Sequence, residues 1–496
     1  MRLALLSTLL LAVACDKRPA ARPPLEDRLY YPTGLAFIPP GDLDAGVGRI
    51  YVASSNFDRR FDVGWVTTVD LGQVRSPDGR TLPPPGGAIA APLDGGSDQG
   101  RPVQFTGLAT TTDSIVTISS FAGLATVDDA GTRLFVPSRS EGDELAIMDI
   151  TPDPDGGAPL RCFFSGGKDC TVDALRMALA QTPGGYGYPA APQPYGVTLA
   201  PDSDEIYVTH LRPASSPALS FTNLLNFLVT LHQKDLDAAR KTWSPDAGYV
   251  VPDSAFSTIG PGGSNSIIVT PDFLYVSGRA KINFTDPDVL LRVVDRRSNL
   301  IAYPQLQLVW ASTDARALQL RPGDAFRPPR LYLAVDNPAA LLVIDVNEPV
   351  LADLAPTFTL VRSVPLPAGP NDVQLIARGR DPATGRARSP LVVISCSVDG
   401  SLAFYDDDLG QIAALVPGVG AVPFGIAMDR RSGPEGTVVR LYVSNFGDGR
   451  IAVVDVPLSR GDQSPATLAP RLIAHIGEKQ FCLITTDDRN CVDNAP

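Results

Sequence analysis

The feature that most constrains this chain is one pattern that returns seven times. An apolar segment opened by a Pro/Gly turn is followed by an aromatic or branched strand-type run, then by a run ending in aspartate. The clearest copies bracket the chain: YPTGLAFIPPG, RIYVASSN and GWVTTVDL within 31–71, and VPFGIAMDR, VRLYVSNFGDGR and IAVVDVP within 422–457. Between them lie degenerate copies at 121–150, 193–236, 262–298, 331–346 and 369–408. Tyr51, Phe135, Tyr207, Tyr275, Tyr332, Val393 and Tyr442 mark their second strands. Each run has ordinary strand length, and the 47 Pro and 44 Gly of the chain supply turns rather than helices.

A small sheet cannot cover both of its faces alone. Repeated small sheets therefore stack around an axis, each burying its neighbour. The expected fold is all-β: a seven-bladed β-propeller over 30–477 with long loops and one short helical insertion. That helix is expected at 171–183 (TVDALRMALAQTP), where Thr171 offers a cap, Val172, Leu175, Ala178 and Leu179 share a face, and Pro183 stops it. The runs 76–102 and 378–390 lack apolar periodicity and are expected in solvent. The fifth unit shows no Pro/Gly-opened strand before LYLAVDN, and RLIAHIG (471–477) reads as the outer strand of the last blade.

The phrases IYVASSN, IYVTH, LYVSG and RLYVSNFGDGRIAVVDVP resemble the YVTN-type propeller repeat, in which a Y-V-x-N strand turns into an I-x-V-[IV]-D strand. The resemblance covers most of 30–477 and implies a seven-bladed propeller of the surface-layer and periplasmic kind, some of whose members are lactonase-like. It is specific for fold and nearly silent on function. Within the repeat, Asp70, Asp149, Asp295, Asp345 and Asp455 are expected to accept turn amides, and the tyrosines to pack between blades.

The N-terminus predicts export. MRLALLSTLLLAVAC has a positive start and an apolar run too short to span a bilayer. Leu11–Cys15 resembles the lipobox of bacterial lipoproteins, which implies that 1–14 is a signal peptide, cleaved before a lipidated Cys15. Residues 15–29 then form a charged, proline-rich tether, and the lipid is the expected membrane attachment in a bacterial cell envelope, facing periplasm or exterior. Cysteine usage agrees. Cys162 with Cys170, and Cys482 with Cys491 in a C-terminal tail (478–496), read as local disulfide staples worth about 2.5 kcal/mol each, and Cys396 as an inert buried thiol.

Chemistry is scarce. There is no G-x-S-x-G, P-loop, dinucleotide fingerprint, HExxH or CxxCH, and His210, His232 and His475 stand far apart. A net charge of -12 disfavours nucleic acid or an anionic bilayer as a nonspecific partner. What is left is oxygen chemistry: Asn265, Asn371 and Asp372 open inner strands and suit Ca²⁺ or another divalent ion. They define the alternative function, a lactonase-like or esterase-like metal hydrolase at the central channel. The leading expectation is a non-enzymatic binding or scaffold protein, with an envelope protein or extracellular ligand as partner and no catalytic residue or organic cofactor.

Overall fold

The computed structural model describes residues 28–480 except 41–47, 58–60, 62, 90–100, 109–113, 140–143, 152–158, 173, 177–192, 212–224, 244–254, 262, 279–290, 299, 304–313, 350–354, 381–384, 434–435 and 459–467. The expected signal peptide, Cys15, most of the tether, and the Cys482–Cys491 staple lie outside the described residues.

Seven antiparallel sheets follow one another along the chain. Blade 1 holds β1 (Pro32–Ile38), β2 (Arg49–Ser54), β3 (Gly64–Asp70) and β5 (Ile115–Ile118); β4 (Val103–Phe105) leaves it. Blade 2 holds β6 (Thr126–Val127), β7 (Arg133–Ser138), β8 (Glu144–Ile150), β9 (Leu160–Cys162) and β10 (Leu175–Arg176). Blade 3 holds β11 (Pro194–Leu199), β12 (Glu205–His210), β13 (Leu225–His232) and β14 (Ala255–Pro261), with helix α1 (Gln233–Thr242) after β13. Blade 4 is β15 (Ser264–Val269), β16 (Phe273–Gly278), β17 (Leu291–Asp295) and β18 (Leu300–Tyr303). Blade 5 is β19 (Asp314–Arg321), β20 (Arg330–Asp336), β21 (Ala340–Asn347) and β22 (Thr357–Pro365). Blade 6 is β23 (Pro370–Ile376), β24 (Leu391–Cys396), β25 (Ser401–Asp406) and β26 (Gln411–Val416). Blade 7 is β27 (Pro423–Gly433), β28 (Gly436–Asn445), β29 (Arg450–Leu458) and β30 (Arg471–Ile476).

The core is a ring of blade-to-blade seams. Every marker of a second strand is buried in the seam with the following blade: Tyr51 meets Val136 of blade 2, Phe135 meets Val197 of blade 3, and Tyr207 meets Ile267 of blade 4. Tyr275, Tyr332 and Val393 do the same for blades 5, 6 and 7, and Tyr442 closes the ring against blade 1, stacking on Phe37 at 5.5 Å. This is the stacking the repeat demanded.

The ring closes at its rim through an extra strand. β4 adds in parallel to the outer edge of β30, pairing Val103 with Ala474 and Phe105 with Ile476. The chain leaves blade 1 after β3, crosses to blade 7, and returns for β5. Arg75 and Gly107 exchange backbone hydrogen bonds at the foot of this excursion. The solvent expectation for 76–102 is corrected at one stretch, 82–86, while residues 77, 79, 81, 84, 86 and 88 are exposed. Leu82 is 2% exposed in the blade 7–blade 1 core, Arg440 donates to the carbonyls of Pro83 and Pro84, and the Gly86 N–H donates to Asp455 at 3.1 Å. A buried arginine fork takes the place of apolar periodicity as the anchoring device. The 378–390 run is also tied down, with Arg378 clamped on Asp406 and Asp408.

The helix expectation is corrected too. Leu175–Arg176 is a strand paired with Leu145 and Glu144, and the rest of 177–183 lies outside the described residues. β9 and β10 both pair with β8, so together they form the split outer strand of blade 2. The Cys162–Cys170 disulfide holds the turn between them. Completing a sheet edge outweighed local helical periodicity. The helix lies instead in the segment read as a strand continuing to 236. It carries Asp235 in its first turn, Arg240 and Lys241 in its last, and buries Leu236. Arg240 and Arg133 both stack on Phe163 at 4.6 Å. The fifth blade, whose inner strand lacked a Pro/Gly opening, forms it from DARALQLR.

Candidate functional site: the channel mouth

Every inner strand begins at the same end of the wheel and near its axis, and each second strand returns there. At this mouth the backbone is strained in a repeating way. Tyr31, Phe121, Gln193 and Val422 precede inner strands with φ of 48°, 61°, 58° and 56°, and Gly369 does so at 73°. Their carbonyls accept N–H groups from the ends of the second strands: Ser55 to Tyr31, Arg139 to Phe121, Leu211 to Gln193, Ser397 to Gly369, Phe446 to Val422. A left-handed non-glycine residue costs about 1–2 kcal/mol. Two of these strained positions nevertheless carry large aromatics, and their rings take part in one cluster.

That cluster runs round the mouth as an arc. Phe121 meets Phe57 edge-on at 5.6 Å, Phe57 meets Phe446 at 5.3 Å, and Tyr31 packs on Phe446 at 5.1 Å. Phe446 continues to Phe424 at 6.1 Å, and Phe424 to Tyr195 at 6.3 Å. Tyr195 belongs to blade 3 and Phe424 to blade 7, which are not neighbours in the ring. Their contact therefore crosses the axis. Phe57 is 45% exposed, and Phe121, Phe424, Phe446 and Tyr195 are half-buried. The Arg139 guanidinium lies 5.6 Å from the Tyr195 ring centre. Such a surface offers ring edges and faces, with a cation at its border, to an apolar or aromatic group.

Beneath the arc, side chains tie each blade to the next. In blade 3, Thr209 Oγ1 accepts from Gly196 N at 3.0 Å and donates to the carbonyl of Asn265 in blade 4 at 3.0 Å. Ser395 does likewise between Asp372 N and the carbonyl of Phe424, and Ser444 between Gly425 N and the carbonyl of Thr33. These hydroxyls sit two residues after Tyr207, Val393 and Tyr442. Glycines at the inner strands let the backbones meet: a Cβ on Gly123 would stand 2.2 Å from the Tyr195 carbonyl.

The predicted metal residues fall into this network. Asn265 Nδ2 donates to the carbonyl of Ala315 in blade 5 at 2.8 Å. Asp372 accepts from Ile426 N of blade 7 at 2.9 Å and from its neighbour Val373 N at 2.8 Å, and burial pushes its carboxyl up to about 6. Asn371 is half-buried beside it. Asn265 thus joins blades 4 and 5, and Asp372 joins blades 6 and 7. Among the described residues no three His, Cys, Asp or Glu side chains gather at one point. Cys396 is fully buried, and burial pushes its thiol up to about 12. The repeat aspartates divide: Asp70 and Asp295 accept turn amides, whereas Asp149, Asp345 and Asp455 pair with an arginine of the second strand, Arg133, Arg330 and Arg440.

Phe57, Phe121, Phe424 and Phe446 were not singled out from the sequence. The signal was there in their position: Phe57 and Phe446 follow Asn56 and Asn445 just past the ends of second strands, and Phe424 stands second in β27, after Pro423.

No family model matches the chain, and no curated protein matches it. Solved structures of similar shape include the β-propeller domain of Cps50 (Swd1) from Myceliophteria thermophila, 14% identical over 86% of this chain and 96% of that one, TM-score 0.44. Hydrazine synthase from Kuenenia stuttgartiensis is 12% identical over 89% and 99%, TM-score 0.48. A putative 6-phosphogluconolactonase from Bacteroides uniformis is 13% identical over 76% and 82%, TM-score 0.40. At such identities and scores these likenesses say nothing about what this chain binds or transforms.

Proposed function

We propose that the chain is a non-enzymatic binding protein of a bacterial cell envelope, lipid-anchored through Cys15, that holds an envelope protein or extracellular ligand at its aromatic mouth. The observation that carries the reading is the arc from Phe121 through Phe57, Phe446 and Phe424 to Tyr195. It is half-exposed and built on strained backbone, an expenditure that folding alone does not require. A photo-crosslinking amino acid in place of Phe57, compared in intact cells with one in place of Phe326 at the opposite end of the wheel, tests it. Adducts specific to position 57 are expected. No adduct there, or the same adducts from both positions, overturns the reading.

The competing reading, a divalent-metal hydrolase of lactones or esters, requires Asn265 and Asp372 to exchange blade-joining hydrogen bonds for a cation that Asn371 also binds. Calorimetric titration with Ca²⁺ separates the two. Stoichiometric heat that disappears in Asn371→Ala favours the hydrolase.

A further inference from the structure

The first described residues are fastened to the mouth end of the wheel. Arg28 pairs with Glu478 at 3.0 Å, just past the end of β30. Leu29 is fully buried and its carbonyl accepts from Gln480 Nε2 at 2.7 Å. Tyr30 lies edge-on between Phe61 at 5.0 Å and Trp65 at 5.5 Å, and Tyr31 enters the aromatic arc. The chain therefore approaches the wheel from the mouth side.

From Cys15 to Arg28 the chain spans at most about 45 Å when fully extended. The second strands of six blades hold six or seven residues and β28 holds 10, which makes the wheel about 20–33 Å tall. A tether that starts at the mouth rim and first runs down the side of a blade spends about 20–33 Å of that reach before it meets a membrane under the far end. With the mouth toward the membrane, the same tether has slack and its ordering entropy is spared.

The mouth also carries apolar groups suited to the bilayer boundary. Phe57 is 45% exposed, and Val398, on the turn between β24 and β25 at this same end, is 76% exposed. Phe424 and Phe446 stand half-buried beside Phe57. Phe and other apolar side chains of membrane-surface segments bury at the boundary between headgroups and acyl chains.

We infer that the mouth is the bilayer-facing end of the wheel, with Phe57 and Val398 touching the headgroup region of the membrane that holds the anchor; this rests on the lipid-anchor reading above. Of the partners proposed above, this orientation favours an envelope protein that lies against the membrane surface.

The test places a fluorophore on single cysteines, Phe57→Cys, Val398→Cys and Phe326→Cys, in the full lipidated chain on vesicles of phosphatidylethanolamine and phosphatidylglycerol with brominated acyl chains. Phe326, 73% exposed between β19 and β20, reports the far end. Quenching several-fold stronger at 57 and 398 than at 326 is expected. Equal quenching, or stronger quenching at 326, overturns the inference. Cys15→Ser controls the anchor: vesicle binding unchanged by it, or absent from both proteins, defeats the anchor reading. A second arm replaces Cys15 with an N-terminal hexahistidine held on nickel-chelating lipid. It reads the same three positions without lipidation, so orientation is decided even if the anchor reading fails.

Discussion

The hydroxyl of Ser444 donates to the backbone carbonyl of Thr33 at 2.8 Å, across 411 positions of chain, while accepting from Gly425 N at 2.9 Å. One oxygen thus ties both strands of its own blade to the first strand of the wheel. The same place in the repeat is occupied by Thr209 and Ser395, each with the same double role. The third letter of the Y-V-[ST] phrase is therefore a blade-joining residue.

Ser444→Ala leaves the buried Gly425 N–H and Thr33 carbonyl without this partner. It is expected to cost about 1–3 kcal/mol in denaturant unfolding. Ser444→Thr keeps the hydroxyl, as Thr209 does in blade 3, and is expected to stay near wild type. Equal stability of the two variants would contradict the bridging role.

Gly123→Ala drives a methyl group against the Tyr195 carbonyl of the next blade, 2.2 Å from an ideally placed Cβ. Neither atom belongs to a flexible side chain, so a loss of about 2–3 kcal/mol is expected. Gly379→Ala, with nothing within 4 Å, is expected to change stability by less than about 0.5 kcal/mol. Melting temperatures of the pair check the contrast.

Two buried groups give opposite pH dependences. Burial, aided by Arg450, holds His475 down to about 4, with Nε2 against the Val419 carbonyl at 2.7 Å and Nδ1 against Gln104 at 3.2 Å. The unfolded chain protonates first, near 6.5, so this contribution is full above that pH and is lost as pH falls toward 4. Burial raises Asp372 to about 6. Here the folded chain keeps its proton longer, so the contribution is full below about 4 and is lost as pH rises through 6. Each is worth up to about 3 kcal/mol, and within the shared window they offset. Relative to wild type, His475→Gln should lose its acid-side weakening, and Asp372→Asn should weaken less as pH rises. Unfolding free energies from pH 4 to 7 that shift in parallel for all three proteins would rule this out.

The architecture was legible because it rests on side chains that repeat. Tyr51, Tyr207, Tyr275 and Tyr442 each fill one seam, and burial in a seam is written in the sequence as a strand with an aromatic at a fixed place. What was not legible depends on partners far away. Val103–Phe105 is only three residues long, and its role as an outer strand is set by β30, more than 360 positions later. Leu175 reads as helical until the open edge of β8 is known. At the mouth, Asn265 and Asp372 were picked for their oxygens, yet their bonds to Ala315 and Ile426 are contacts between blades that no local pattern encodes. Phe57 and Phe446 belong to opposite ends of the chain, and only the closed ring makes them neighbours.

Closure of the ring is the central claim, and native-state hydrogen exchange at the seam between last and first blades tests it most directly. The Gly477 N–H donates to the Phe105 carbonyl at 2.9 Å, and Val103–Phe105 lies on β30. The account predicts that amides of 474–477 are protected like those of β20 in blade 5 and become exposed with them in one opening transition. Exchange of 474–477 within minutes, while β20 stays protected, would contradict it.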